Sequence, residues 1–478
     1  RNALIANTTG AGNVAVGYNA GGALTTGGSN TVVGTNALIT STTASNNTAI
    51  GSGSMEANTS GTDNVAVGAG AMAANTTGAE NTSVGSLSSD ALTTGNGVVA
   101  VGYKALSSDT QGNRAVALGH ETLANQNFTT STNNYNVAVG FQAMNVNTTG
   151  LYNVAVGGLA LDANTTGQNN VAIGTDALGA NTTGVSNVAV GSFALDACTT
   201  GVQNVAVGKN ALGSQSTGSQ AVAVGHGALA VANSSSNIAI GYHSSVSLTS
   251  GDSCVTMGYE AGEDITTGSH HTLVGFRAGM NITTSNYNTI MGSNASASMT
   301  TGSQNTCYGY GSGTSIVDGS NNLMFGFNAN VSASGRSELV IATAEVGKGD
   351  GTGFIAPPGN GNLFQGNNTT TFATTSDRRI KKNIVDNNSG LEKINQIQVR
   401  NFEYKTAEEI TELPTHTAIK KEGLQLGVIA QEVEDILPDI VNTEDTGCKT
   451  VNADNMTWYL VNAVKELSAQ VEELKTKL

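Results

Sequence analysis

Short apolar runs of one pattern recur along most of the chain, each close to Asn-Val-Ala-Val-Gly and each followed by a longer polar stretch. The motif glycine recurs every 17 residues, with one four-residue insertion before Gly140 and one single-residue deletion before Gly241. Its nineteen positions are 17, 34, 51, 68, 85, 102, 119, 140, 157, 174, 191, 208, 225, 241, 258, 275, 292, 309 and 326. A fixed period of this kind indicates a repeat architecture.

The copy at residues 153–169, NVAVGGLALDANTTGQN, shows the parts of one repeat. Val154 and Val156 have the alternation of a strand, and the Asn-Thr-Thr-Gly segment supplies residues that favour turns. We therefore expect each repeat to be one coil of two short strands and two bends. Nineteen coils stacked about 4.8 Å apart would form a rod roughly 90 Å long.

The alternation also predicts how the coil is filled. We expect the large residues to point inward and the small residue between them, such as Ala66, Ala155 or Ala189, to face outward. That outward face would let another backbone approach closely, so we expect three chains around a common axis. The asparagine before each strand, such as Asn153, would stack into a ladder of side-chain amides or serve as a turn residue.

The distribution of charge divides the chain near residue 371. Residues 1–370 hold 24 charged side chains and residues 371–478 hold 31. The net charge of −15 leaves no basic stripe for nucleic acid. The four cysteines lack disulfide or metal spacing, and no run of about 18 apolar residues occurs. We expect no cofactor, no metal, no nucleic-acid partner and no membrane insertion.

The C-terminal region has a different texture. Residues 423–441 read as a strand, then a short amphipathic helix closed by Pro438. Near the end, apolar residues follow steps of four and three, at Leu460, Val464, Leu467, Val471, Leu474 and Leu478. This heptad pattern favours a coiled coil between chains; the alternative is one amphipathic helix packed on a globule.

The repetitive body resembles the collagen-binding head repeats of trimeric autotransporter adhesins and similar repeats of bacteriophage tail fibres. The resemblance rests on the N-V-A-V-G core and covers residues 13–326. It implies a parallel β-roll. The 17-residue period and the Asn-Thr-Thr-Gly turns depart from that family's pattern, so its cross-section does not carry over.

The C-terminal region resembles the intramolecular chaperone domain of endosialidases and other phage tail spikes and fibres. The resemblance rests on TTSDRRIKKNI (374–384), VRNFEY (399–404), LGVIAQEVEDILPDIV (426–441) and a terminal helix. In that family the domain trimerises, guides the upstream fibre into register and then cuts itself off with a serine and a lysine.

Carried onto this sequence, the resemblance implies Ser376 as nucleophile, Lys381 as base and the bond between Thr375 and Ser376 as the scissile bond. Partial burial and the supporting cations would lower the pKa of the lysine. Those cations are Arg378, Arg379 and Lys382. Lys382 remains an alternative base, and an uncleaved domain in which Ser376 only caps a turn is the competing interpretation.

Aromatic residues follow the motif glycine in eight repeats and are candidates for glycan contact, although rings at a fixed repeat position also pack on one another. They are Tyr18, Tyr103, Phe141, Tyr242, Tyr259, Phe276, Tyr310 and Phe327. His270 and His271 are adjacent and would face opposite sides of a strand. A metal held by one of them is therefore less expected than an ordinary surface histidine.

These patterns predict a mainly β, elongated β-roll or β-solenoid shaft (1–335), a connector (336–373), and a small α+β chaperone and self-processing domain (374–478) ending in a coiled-coil helix. We expect a homotrimeric tail fibre on the phage virion, with single-turnover autoproteolysis and no turnover of an external substrate. Its partners would be a host cell-surface glycan or protein receptor and other tail proteins.

The tail proteins would join through an N-terminal region that is missing, because the chain begins at Arg1 within a repeat. The alternatives are a bacterial trimeric surface adhesin and a glycan-degrading tail spike. The spike would need clustered carboxylates, whereas the acidic residues of the body are scattered apart from Glu260, Glu263 and Asp264.

Overall fold

The computed structural model describes residues 2–347, 349–356, 363–365, 372–373, 378–413, 419, 421–444 and 447–477. The chain divides into two compact units, residues 1–375 and 376–478. The strands of the first unit are β1 (Val14–Val16), β2 (Thr31–Val33), β3 (Thr48–Ile50), β4 (Val65–Val67), β5 (Thr82–Val84), β6 (Val99–Val101), β7 (Gly112–Asn113), β8 (Val116–Leu118), β9 (Thr132–Asn133), β10 (Val137–Val139), β11 (Val154–Val156), β12 (Val171–Ile173), β13 (Val188–Val190), β14 (Val205–Val207), β15 (Val222–Val224), β16 (Ile238–Ile240), β17 (Val255–Met257), β18 (Thr272–Val274), β19 (Thr289–Met291), β20 (Thr306–Tyr308), β21 (Leu323–Phe325), β22 (Leu339–Ala342), β23 (Gly353–Ala356), β24 (Leu363–Gln365) and β25 (Phe372–Ala373).

The first unit is a parallel β-solenoid in which each repeat forms one coil. Strand β11 pairs with β12 in parallel, and Val154 lies opposite Val171, one repeat further on. The same register joins each repeat strand to the next along the unit. The predicted mainly β solenoid is confirmed, but the expectation of two strands per coil is wrong, because each regular coil holds a single three-residue strand.

Backbone hydrogen bonds continue around the coil outside the strand. The N–H of Leu161 donates to the carbonyl of Ala177 at 3.1 Å, and that of Thr165 donates to Thr182 at 2.9 Å. Left-handed residues, such as Leu161 with φ of 52°, turn the chain between these bonds. The coil is therefore bonded to its neighbours on all sides, although only one side has strand geometry.

The interior of the coil is filled by small residues, which reverses the predicted orientation. Ala66, Ala155 and Ala189 are fully buried, whereas the valines on either side of each of these alanines are partly exposed. A coil of 17 residues encloses a thin core that already holds a leucine such as Leu161. The branched residues therefore face outward, because the core has room only for the methyl group of alanine.

Asparagine side chains fill the rest of the interior and bond one coil to the next. Asn153 donates from Nδ2 to the carbonyl of Gly167 at 2.9 Å and accepts the backbone N–H of Asn170 on Oδ1 at 3.0 Å. This column therefore pairs side chains chiefly with backbone. A ladder of side-chain amides forms instead from the Asn-Thr-Thr-Gly turn, where Asn164 Nδ2 donates to Asn147 Oδ1 at 2.8 Å.

The parallel sheet continues beyond the last motif glycine into the segment predicted as a connector. Strand β22 pairs in parallel with β21 and with β23. The direction then reverses, because β24 pairs antiparallel with β23 and β25 pairs antiparallel with β24.

The second unit is a small α+β structure. Its elements are β26 (Arg400–Phe402), β27 (Gln425–Gly427), β28 (Val441–Thr443), β29 (Lys449–Val451), α1 (Leu391–Gln396), α2 (Ala430–Glu434), α3 (Ala453–Lys477) and 3-10 turns at Arg378–Ile380 and Pro438–Ile440. Strands β26 and β27 form one antiparallel pair, and β28 and β29 form another. A core of Val433, Leu437, Ile440 and Tyr459 joins α2 to α3.

Candidate functional site

The predicted nucleophile Ser376 and its neighbour Thr375 lie outside the described residues. The description resumes at the 3-10 turn that starts at Arg378, and the N–H of Lys381 donates to the carbonyl of Arg378 at 3.2 Å. Lys381 and the alternative base Lys382 are both exposed in the single chain, as are the cations Arg378 and Arg379. One chain therefore brings the basic residues together in sequence without burying either lysine.

The segment that follows this basic stretch is attached to helix α3. Asn462 donates from Nδ2 to the carbonyls of Asn387 and Ser389, at 2.6 and 3.2 Å. The N–H of Leu391 donates to Glu466 Oε2 at 3.1 Å. We call residues 387–391, together with Asn462 and Glu466, the latch.

Gly390 allows the latch to lie directly on the backbone of α3. A Cβ at this position would stand 2.4 Å from the backbone nitrogen of Ala463, which is closer than real Cβ contacts come. Because Ala463 is itself buried, a side chain at residue 390 would push the segment away from the helix. The latch thus couples the position of the processing segment to that of α3.

The heptad positions of α3 form an exposed apolar stripe, which we call the α3 stripe. Its described members expose 43–65% of their surface: Leu460, Val464, Leu467, Val471 and Leu474. The neighbouring face of the helix packs on the unit through Tyr459 and Ala463, which are buried. The α3 stripe is therefore not the face by which the helix rests on its own globule, and Leu478 lies outside the described residues.

The predicted aromatic residues form a column along the solenoid. The ring centroids of Tyr242 and Tyr259 are 5.1 Å apart, and those of Tyr259 and Phe276 are 5.4 Å apart. Tyr310 and Phe327 form a further pair at 5.4 Å. The interplanar angles of 11–13° turn the ring faces towards each other. The edges and the tyrosine hydroxyls are left towards solvent, and contact with glycans stays a prediction.

Two histidines belong to the same column and were missed in the sequence. His226 stacks on Tyr242 at 5.4 Å, and His120 lies between Tyr103 and Phe141 at 5.2 and 5.5 Å. Both histidines directly follow a motif glycine. That position was the signal that could have identified them, but only tyrosine and phenylalanine had been considered there.

His271 is buried and takes the place of an interior asparagine. Its Nε2 lies 2.8 Å from the carbonyl of Ser285, and its Nδ1 accepts the N–H of Asn288 at 3.3 Å. These contacts assign the proton to Nε2 in a neutral ring. Burial lowers the pKa of His271 to about 4. The neighbouring His270 is exposed, so the pair does not converge on one point.

Two further properties concern the described part of the chain only. None of its helices combines the length and the apolar character needed to cross a bilayer. Within the same residues, no group of three or more His, Cys, Asp or Glu side chains is arranged to hold a metal ion.

Comparison with known proteins relates the second unit to a family. The profile of a family described as Chaperone of endosialidase matches residues 376–442. These residues are a chaperone of endosialidase domain. The domain begins where the two compact units meet and contains the basic stretch and residues 387–391 of the latch. Helix α3, with the α3 stripe and the other half of the latch, follows the matched residues.

The chain is also similar to long tail fiber proteins Gp37 of bacteriophages. It is 29% identical to that of Enterobacteria phage Ox2 over 131 residues, which cover 27% of this chain and 46% of the relative. It is 36% identical to that of Enterobacteria phage K3 over 125 residues, covering 25% and 9%. The chain thus spans less than half the length of these relatives. No solved structure matches the chain.

Proposed function

We propose that this chain is a structural tail-fibre protein of a phage virion, whose chaperone of endosialidase domain assembles the solenoid as a homotrimer and then cuts the chain before Ser376. The observation that carries the proposal is the position of this domain, directly after a solenoid of identical coils. The similarity to long tail fiber proteins supports the same assignment. No structural feature favours the adhesin or the glycan-degrading spike.

A repetitive shaft needs a device that sets the register of its chains. Slipping one chain by 17 residues against its partners would lose only the contacts at the ends, so misaligned assemblies would be nearly as stable as the correct one. Parallel stacks also form slowly because their contacts are distant in sequence. An α3 stripe that brings three C-terminal units together would align the coils from one end.

The proposed cleavage uses residues that follow the shaft directly. Lys381, as a neutral amine, would take the proton from the Ser376 hydroxyl, and the oxygen would attack the carbonyl carbon of Thr375. The peptide C–N bond breaks, and the proton passes to the amino group of Ser376. Water then hydrolyses the resulting ester, which leaves a carboxylate on Thr375. Because Lys381 is exposed in one chain, assembly would have to supply its burial.

The proposed partners follow from the same assignment. Other tail proteins would hold the fibre on the virion, and a host cell-surface glycan or protein would be its receptor. The aromatic column, whose rings expose 41–53% of their surface, is the candidate contact for a glycan.

Expression of the parent chain beside Ser376→Ala tests the cleavage. We expect the parent to yield a fragment that starts at Ser376 and the variant to remain full length, because the variant lacks the nucleophile. Intact mass measurement distinguishes the two products. Lys381→Ala should also stay uncut, whereas the matched variant Lys382→Ala should be cut. The reverse result would assign the base to Lys382, and an uncut parent would sink the autoproteolysis.

Asn462→Ala tests whether the latch positions the processing segment. The variant loses two hydrogen bonds, each with a net value of about 1 kcal/mol, so we expect cleavage to slow roughly tenfold or more. The mass of the assembly, measured by light scattering, should remain that of the parent. Ser468→Ala, at an exposed position of the same helix, is the control. Unchanged cleavage in a correctly assembled Asn462→Ala chain would remove the latch from the mechanism.

A further inference from the structure

The outward side of the solenoid sheet is an unbroken apolar surface. We call it the strand face: the first and third residues of β1–β6, β8 and β10–β21. These residues are aliphatic or aromatic side chains, methionines and threonines, and none carries a charge. Val156, Ile173 and Met257 expose 36–40% of their surface. The face therefore runs the length of the repeats without a charged position.

Charged residues do occur close beside the strand face. Asp63, Glu80 and Arg114 each stand two residues before a strand, and Lys209 stands two residues after one. The coil thus tolerates charge at its corners. The lack of charge is confined to the strand face, which is what a surface covered by a partner requires.

The area of the strand face exceeds what a lone soluble chain usually exposes. A side chain of this size that is left two-fifths exposed presents on the order of 40 Å². The whole face then presents on the order of 1,500 Å². Single proteins rarely show apolar patches above about 600 Å², and a stable interface needs about 800 Å² from each partner.

The axial period of the strand face determines which partner fits. Val154, Val171 and Val188 follow one another in register, so apolar ridges recur once per coil, about every 4.8 Å. Only a surface with the same period can interdigitate with them along the full length. A second copy of this chain has that period. A glycan would need hydrogen-bonding groups, which valine and isoleucine lack.

We propose that the strand face is the interface between chains of the fibre, with the same face of each copy packed about an axis parallel to the solenoid. The inference rests on the proposed homotrimer and names the surface that joins its shafts. It replaces the alanine face expected from the sequence, because the alanines fill the coil interior.

Cysteine cross-linking in the full chain tests this interface. Val205 is the first residue of β14 and lies on the strand face, and Thr200 is an exposed residue in the Asn-Thr-Thr-Gly turn before it. Packing about an axis brings equivalent residues of two copies close together, and a disulfide needs Cα atoms within about 7 Å. Val205→Cys under a mild oxidant should therefore give a covalent species of twice the chain mass on a non-reducing gel.

Thr200→Cys and the parent, which retains its native cysteines, should give at most a trace of this species. We expect at least a tenfold excess for Val205→Cys. Equal cross-linking of the two variants, or none in Val205→Cys, would overturn the interface. Light scattering of the parent separates the possible failures. A trimer without cross-linking leaves the proposed assembly standing and removes the surface, whereas a monomer removes both.

Discussion

Gly157→Ala is expected to lower the free energy of unfolding of the shaft by roughly 2–6 kcal/mol, from backbone strain and overpacking together. Gly157 has φ of 144°, a region that other residues rarely adopt. A Cβ at this position would stand 2.4 Å from the carbonyl oxygen of Gly174 in the next coil. Backbone atoms of a bonded coil cannot move aside for a methyl group. The thermal midpoint followed by circular dichroism measures the loss.

The next residue provides the matched control. A Cβ at Gly158 would meet no atom within 4 Å, and its φ lies outside the left-handed region. Gly158→Ala should therefore change stability by no more than about 0.5 kcal/mol. Similar midpoints for the two variants would mean that the motif glycine is not required by the close approach of the coils.

Acidification should weaken the shaft around His271, and His271→Asn should remove that dependence. The folded pKa of His271 is about 4, below its ordinary value of 6.5, because the ring is buried. Between these values the unfolded chain binds a proton that the folded chain does not. Stability is therefore undiminished above pH 6.5 and falls as the pH drops towards 4, by about 3 kcal/mol per chain from this residue.

The hydrogen bonds of His271 give this prediction its geometric basis. Protonation would place a hydrogen on Nδ1, which accepts the N–H of Asn288, so two donors would face each other. Asparagine at 271 could make the same pair of contacts, as Asn204 does by donating to Gly218 at 2.9 Å and accepting from Ala221 at 3.0 Å.

Urea midpoints measured from pH 7.5 to 4 check the prediction for His271. The difference between His271→Asn and the parent should grow in favour of the variant as the pH falls. The exposed His270 is the control, and His270→Asn should follow the parent at every pH. A parent and a His271→Asn variant that lose stability in parallel would contradict the assignment.

The repeat fixed much of the fold at the level of sequence, because a 17-residue period with strand alternation has few physical solutions. It did not predict which side of the strand faces inward. Val154 and Ala155 alternate in either orientation, and hydrophobicity alone favours the valine inside. The decision depends on the volume left by Leu161 and Asn164, which share the interior of the coil. Such a volume is a property of the closed coil and not of any local window.

The candidate site was predictable only in part. The order of motifs around Ser376 predicted a chaperone domain, and the family match at residues 376–442 bears this out. The latch could not have been predicted, because Asn462 bonds to backbone carbonyls more than seventy residues earlier in the chain. Those contacts use an asparagine side chain with no motif around it. His271 was missed for a related reason, since its role is defined by the coils above and below.

The reversal of strand direction after β23 limits how the solenoid can polymerise. A stack of identical parallel coils ends in an edge that could accept the first coil of another molecule, and such head-to-tail addition would produce open-ended filaments. Strand β24 occupies the free edge of β23 in the antiparallel direction. The last coil therefore offers no parallel template, and the number of coils in a fibre is set by the gene rather than by concentration.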